Sequence, residues 1–151
     1  NLVTNVIKKE VNDILQGKYQ QCVLGTLDQN GCPYLSKTLP LYYEKKIYLL
    51  LSDLSDHTEN LKNNKKVSIY FALEETHKER LNNPRLTLLG LIEKLKLNKN
   101  DELFVKLLKK YALIEKSAKM WGKFLDFNFY EFKIQNSIYV KGFGKAYKKV
   151  V

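Results

Sequence analysis

The spacing of the apolar segments constrains this chain most: they are short, each is closed by turn-forming residues, and most follow one another without a helix between them. Gln21–Leu27 is one such run, and the Asp28-Gln29-Asn30-Gly31 stretch after it offers a positive φ at Asn30 or Gly31. Pro33–Pro40 and Lys46–Ser52 read as the next two strands, joined through a charged loop at Glu44–Lys46. The three together predict an antiparallel meander. Lys66–Leu73 alternates Val67, Ile69 and Phe71 with Ser68, Tyr70 and Ala72, the period of a half-buried strand. Arg85–Leu95 is a longer apolar strand in which Gly90 predicts a bulge. Phe127–Lys149 reads as two strands split near Asn136 and Ser137, with Gly142-Phe143-Gly144 inside the second. A doubly wound parallel sheet needs a helix between successive strands. Six to seven strands without that alternation predict instead a mainly β (α+β) fold, an antiparallel barrel with helices appended.

Two segments carry the helical period. In Asn1–Gln16 the apolar residues Val3, Val6, Ile7, Val11, Ile14 and Leu15 recur at three- and four-residue spacing, and Gly17 ends the pattern. In Asn98–Trp121, Asp101 is a candidate cap, and Leu103, Phe104, Leu107, Leu108, Tyr111 and Ile114 form a stripe backed by lysines. No repeat, linker or low-complexity tract interrupts the chain. Residues 1–151 therefore read as one domain, with an N-terminal helix over 1–17 and an inserted helix over 98–122.

The formal charge is +10, and all of it falls in residues 76–151, which hold 17 basic and 7 acidic residues. Such a surplus suits an anionic small molecule, an anionic membrane surface or nucleic acid. Only Arg80 and Arg85 are arginines, so the planar fork that reads bases and phosphates is nearly missing, and sequence-specific nucleic-acid binding is disfavoured. Cys22 and Cys32 are too few for a disulfide framework and lack zinc-type spacing. Neither sits beside an evident base, and Cys22 reads as a core filler. No apolar run approaches a membrane span and no signal pattern opens the chain, so the expectation is a cytoplasmic protein without membrane or metal.

Ser52–Leu61 is chemically the richest segment. Ser52, Ser55 and Thr58 supply hydroxyls, His57 an imidazole, and a helix starting at Ser55 or Asp56, with Glu59 at capping-box spacing, exposes its first amides. Unpaired amides and the helix dipole both favour an anion, so a phosphate fits here; the same residues serve equally well as a plain cap on a surface helix. His57 has no second histidine at ligand spacing, since His77 lies twenty residues on, so no metal site is expected.

Gly31-Cys32-Pro33-Tyr34 after the first strand, Tyr48-Leu49-Leu50-Leu51-Ser52, and Ser55-Asp56-His57 followed by Leu61, Asn64 and Val67 resemble the pyridoxamine 5′-phosphate oxidase-like split barrels. Those proteins carry Ser-x-Lys-x-x-x-Leu-x-x-Asn, whose serine and basic residue hold the phosphate of FMN. Ser55, Leu61 and Asn64 match, and His57 stands where lysine is usual. The His57-Thr58-x-Asn60-Leu61 version is similar to the haem-utilisation, HugZ-type branch. That likeness continues through Glu74 and Glu75, Arg85 and Leu86, and the ending Val140-Lys141-Gly142-Phe143-Gly144-Lys145-Ala146.

The resemblance implies a split barrel of six to seven strands that forms a homodimer with cofactor sites at the interface. It implies an FMN-binding oxidoreductase in which Ser52, Ser55, His57 and Thr58 hold the phosphate with help from Asn60 and Arg85. The HugZ-type branch implies haem instead, opened oxidatively in members that carry a further domain and a histidine-bearing tail, neither of which lies within residues 1–151. A cofactor-free basic module with a lysine face is the third alternative.

Overall fold

The computed structural model describes all residues from Asn1 to Val151. The chain forms α1 (Asn5–Leu15), β1 (Gln21–Leu27), β2 (Pro33–Lys37), β3 (Leu41–Tyr43), β4 (Lys46–Ser52) and α2 (Asp56–Asn63). β5 (Lys66–Ala72), β6 (Arg85–Lys94), α3 (Glu102–Tyr111), α4 (Ala118–Trp121), β7 (Phe127–Gly142) and β8 (Lys145–Lys148) follow. All eight strands belong to one antiparallel sheet of order β2-β1-β5-β6-β7-β4-β3, with β8 added on β7. The predicted class holds, with eight strands in place of six to seven. No helix is long and apolar enough to cross a membrane.

β4 organises the interior because both of its faces are buried. Ile47, Leu49 and Leu51 face a core shared with Ile7, Val11 and Ile14 of α1 and with Leu24, Ile69, Leu86, Leu88 and Phe132 of the sheet. Tyr48 and Leu50, alternating with them, face a second core built with Phe104, Leu107, Leu108 and Tyr111 of α3, Ala118 of α4, and Phe129 of β7. Phe104 meets Phe129 edge-on at 5.2 Å between ring centres. Thr4 caps α1 by accepting a hydrogen bond from the Ile7 amide, and Gly17, at φ +126°, turns the chain out of it.

Four local expectations are corrected. The first strands are no meander: β1 pairs β2 and β5, while β4 pairs β3 and β7, so the chain crosses between distant parts of the sheet after β2. The predicted Pro33–Pro40 strand ends at Lys37, and Leu41–Tyr43 forms its own strand, β3. It hairpins into β4 through Glu44 and Lys45, both at positive φ; these residue types carry no turn signature, which hid the hairpin. β7 runs unbroken past Asn136 and Ser137. Both pair in the ladder with β6, opposite Leu89 and Leu88; the register shift between Leu89 and Gly90 leaves Gln135 as the bulged residue, and the reversal falls at Phe143 and Gly144 instead. The helical stretch 98–122 splits into α3 and α4, because the turn between them seats Ala118 and Gly122 against Leu108 and Leu50.

One face of the sheet has no layer over it. Val23, Tyr70, Thr87 and Ile138 form one cross-strand row, and Leu35, Gly25, Ser68 and Leu89 the next. Leu35, Tyr70 and Leu89 are exposed on it. The opposite residues of the same strands, Leu24, Ile69 and Leu88, are fully buried.

Leu49 has 0% exposure and Leu54 has 84%. Leu49→Ala is expected to lower stability in denaturant titration by about 2–5 kcal/mol, whereas Leu54→Ala stays within about 0.5 kcal/mol of wild type. Equal effects would show that the two-sided burial of β4 does not govern stability.

Candidate functional site

At the end of β4 the backbone turns into α2, and a polar network fixes that turn. Ser52 Oγ donates to Asp126 Oδ2 at 2.7 Å and accepts from the Leu54 amide at 3.2 Å. The Asp53 amide donates to the Asp126 carbonyl at 2.6 Å. The Asp53 carboxylate accepts from Asn128 Nδ2 at 2.9 Å, Tyr130 OH at 3.3 Å and Lys94 Nζ at 3.3 Å. Burial and the Asp53 carboxylate both push the Tyr130 phenol up, so it stays a neutral donor. Sequence reasoning missed this network, because Asp126 and Asn128 lie over seventy residues from their partners.

Ser55 is the N-cap of α2, but its side chain makes no capping bond, and its carbonyl accepts from the Thr58 and Glu59 amides. The predicted Asp56–Glu59 capping box does not form; Glu59 pairs with Lys62 at 2.8 Å. The Ser55 hydroxyl and the first amides of α2 are thus open to a ligand. Asp56 and Glu59 put negative charge in that first turn and oppose an anion, so its binding depends on short hydrogen bonds more than on net charge.

Ser52, Ser55 and His57 line one groove of about 390 Å³. Its other walls are Lys37 at the end of β2 with Thr38 and Leu39 after it, Leu50 and Leu51 of β4, and Tyr111, Glu115, Trp121 and Phe127 from the helical insert and β7. Trp121 lies 4.7 Å from Phe127 and 6.1 Å from Tyr111 between ring centres. The groove therefore has a polar end at the start of α2 and an aromatic wall. Trp121 is the only tryptophan in the chain, and of this wall the sequence had singled out only Tyr111, as part of an apolar helical stripe.

His57 Nε2 is buried and has no hydrogen-bond partner. Desolvation lowers the imidazole pKa, with Asp56 pulling the other way, so the site favours the neutral ring. His57 lines the groove, and its orphaned Nε2, which solvent does not reach, gains a partner only through a ring rotation or a ligand that displaces its cover.

The other predicted site residues sit elsewhere. Thr58 is buried on the far flank of α2, beside Leu61 and Tyr130, with its hydroxyl unpartnered. Asn60 is buried and donates to Thr26 Oγ1 at 2.9 Å, tying α2 to β1. Arg85 donates to the carbonyls of Leu81 and Asn83. It lies at the opposite end of β6 from Lys94, about 30 Å away at the usual strand rise. Within one chain the structure brings together Ser52, Ser55 and His57, and not Thr58, Asn60 or Arg85. No cluster of His, Cys, Asp and Glu is placed to hold a metal ion.

Because the folded-state pKa of His57 lies below its unfolded value, the unfolded chain takes up the proton first on acidification. The His57 contribution is present above about pH 6.5 and is lost as pH falls below it. Wild type is expected to lose denaturant stability between pH 7.5 and 5.5, and His57→Gln to lose less; parallel losses would assign the effect to other groups.

The chain matches the family described as CREG, beta-barrel, over residues 25–150. The comparison with curated proteins returned no match. Among solved structures, Campylobacter jejuni ChuZ superposes with a TM-score of 0.84 at 24% identity, over 98% of this chain and 61% of its own. A heme binding protein from Mycobacterium smegmatis gives 0.82 at 20%, over 98% of this chain and 59% of its own. A Clostridium acetobutylicum protein related to general stress protein 26, of the pyridoxinephosphate oxidase family, gives 0.68 at 19%, over 97% of this chain and 95% of its own. The chain thus spans about 60% of the first two proteins and nearly all of the third. It belongs to the CREG beta-barrel family and has the pyridoxamine 5′-phosphate oxidase-like split-barrel fold.

Proposed function

We propose that the groove at the start of α2 holds FMN and that the protein works as a cytoplasmic, dimeric, FMN-binding oxidoreductase-like protein. One observation carries this reading: the buried, partnerless Nε2 of His57 and the free Ser55 hydroxyl share a groove with the aromatic wall of Trp121 and Phe127. A ligand that is anionic at one end and flat and aromatic at the other satisfies both ends. Flavin, when bound, supplies electron and hydride transfer. The chain supplies placement. Ser55 Oγ, His57 Nε2 and the first α2 amides orient the phosphate, Lys37 adds a positive charge, and Trp121 and Phe127 exclude water from the ring. Ser52 acts through Asp126 by holding the turn, Asn60 braces α2 against β1, and Thr58 supports it from behind. Both cysteines are unpaired, which suits a reducing compartment.

The uncovered sheet face supports a homodimer. Lys37 pairs with Val23 in the outer row and also lines the groove, so a second copy seated on that face adjoins the cofactor site. Arg85 projects from the same face, paired with Ala72 and Val140, and only a second copy would carry it to a groove.

Haem is the second reading, favoured by the superposition over 98% of this chain on a heme binding protein. On that reading His57 and Lys37 face the propionates.

Titration with FMN is expected to quench the emission of Trp121 and to shift the flavin bands; His57→Gln or Ser55→Ala weakens binding about tenfold or more, the loss of one hydrogen bond to a charged group. Haemin giving a Soret shift where FMN gives none moves the assignment to haem, and no response to either overturns both. Light scattering is expected to return twice the 17.7 kDa chain mass. Leu89→Glu is expected to give a monomer with weakened FMN binding; a wild-type monomer that binds FMN fully would refute the shared site.

A further inference from the structure

The helical insert carries an apolar surface that neither core uses. Residues 113–125 are turns on either side of the four-residue α4, from Leu113 donating to Lys110 through Phe124 donating to Trp121. Ala118 is fully buried, and a Cβ at Gly122 would strike Leu108 at 2.5 Å, so positions 118 and 122 define the inward side. The outward side is apolar. Leu113 is 80% exposed, Met120 67%, Phe124 50% and Leu125 87%. Met120 and Phe124 lie one turn apart, and Lys116, Lys119 and Lys123 recur beside them at the same period. Over residues 109–125 five lysines stand against one acidic residue, Glu115, whose carboxylate accepts from Ser117 Oγ at 2.9 Å.

We infer that this face docks on an anionic phospholipid surface, the apolar side chains entering the headgroup boundary and the lysines meeting lipid charge. Large exposed apolar residues flanked by a lysine row are the pattern of an interfacial segment. The charge pattern disfavours the two competing occupants. A second copy placed on this face about a twofold axis would set lysine row against lysine row. A nucleic-acid backbone would engage the lysines but leave Leu113, Met120, Phe124 and Leu125 without a partner. The bare sheet face is built from β2, β1, β5 and β6, and it meets the insert at the groove, where Lys37 and Trp121 share a lining.

The test is flotation of the full chain with phosphatidylcholine vesicles, with and without phosphatidylserine. The expected result is flotation with the anionic vesicles alone, weakening as salt rises. Met120→Ser with Leu125→Ser is expected to reduce binding at least tenfold. Lys116→Gln, Lys119→Gln and Lys123→Gln together reduce it about a hundredfold, roughly fivefold per lysine. All five positions are surface ones, and unchanged thermal melts confirm that the variants fold. Failure to float with anionic vesicles overturns the inference. So does binding that depends on the lysines but not on Met120 and Leu125, and so does a change of oligomeric mass in the serine variant, which would make this face a contact between copies.

Discussion

Burial of β4 on both faces is the constraint on which the rest of the molecule depends. A strand with one wet face alternates apolar and polar residues, but Ile47-Tyr48-Leu49-Leu50-Leu51 is continuous, so it needs a layer on either side. α1 and the opposite strands cover one side, and α3 with α4 covers the other. The site follows from that arrangement. Ser52 is where the two-sided strand ends, α2 begins four residues later, and the insert that covers Tyr48 and Leu50 also brings Trp121 to the groove.

The insert is held to the sheet by more than apolar contact. Lys99 Nζ donates to the carbonyls of Gly122 and Phe127 and lies 4.5 Å from the centre of the Phe104 ring. Burial lowers its pKa, with Asp126 and Asp53 opposing. One side chain thereby joins the approach to α3, the end of α4 and the start of β7, which are the elements that shape the aromatic wall.

The fold class was legible in the sequence because period and turn chemistry agreed along most of the chain. Gly90 announced its bulge, and Val67, Ile69 and Phe71 announced their face. Pairing was not legible. Nothing in Pro33–Pro40 says that its neighbour is β1 alone, and Glu44-Lys45 adopts a turn that glycine or asparagine usually marks. Of the site, the sequence exposed what is local: Ser52, Ser55 and His57 are close in the chain and converge in space. It concealed what is distant, since Asp126, Asn128 and Trp121 reach the same turn only through the register of β4 on β7. Thr58 and Asn60 share that local motif but point elsewhere, because a helix turns by about 100° per residue and spreads neighbours over its faces.

The reach of β7 has a consequence for biogenesis. Its first residues pair β4, its middle pairs β6 and its end pairs β8. β4 has no other neighbour except the three-residue β3. While the chain emerges from the ribosome, β1, β2, β5 and β6 can already zip together, but the β3–β4 hairpin and its continuous apolar run stay unpaired until residues 127–142 appear. The nascent chain thus carries its continuous apolar strand without its main partner for about half of its length, from Ser52 to Phe127.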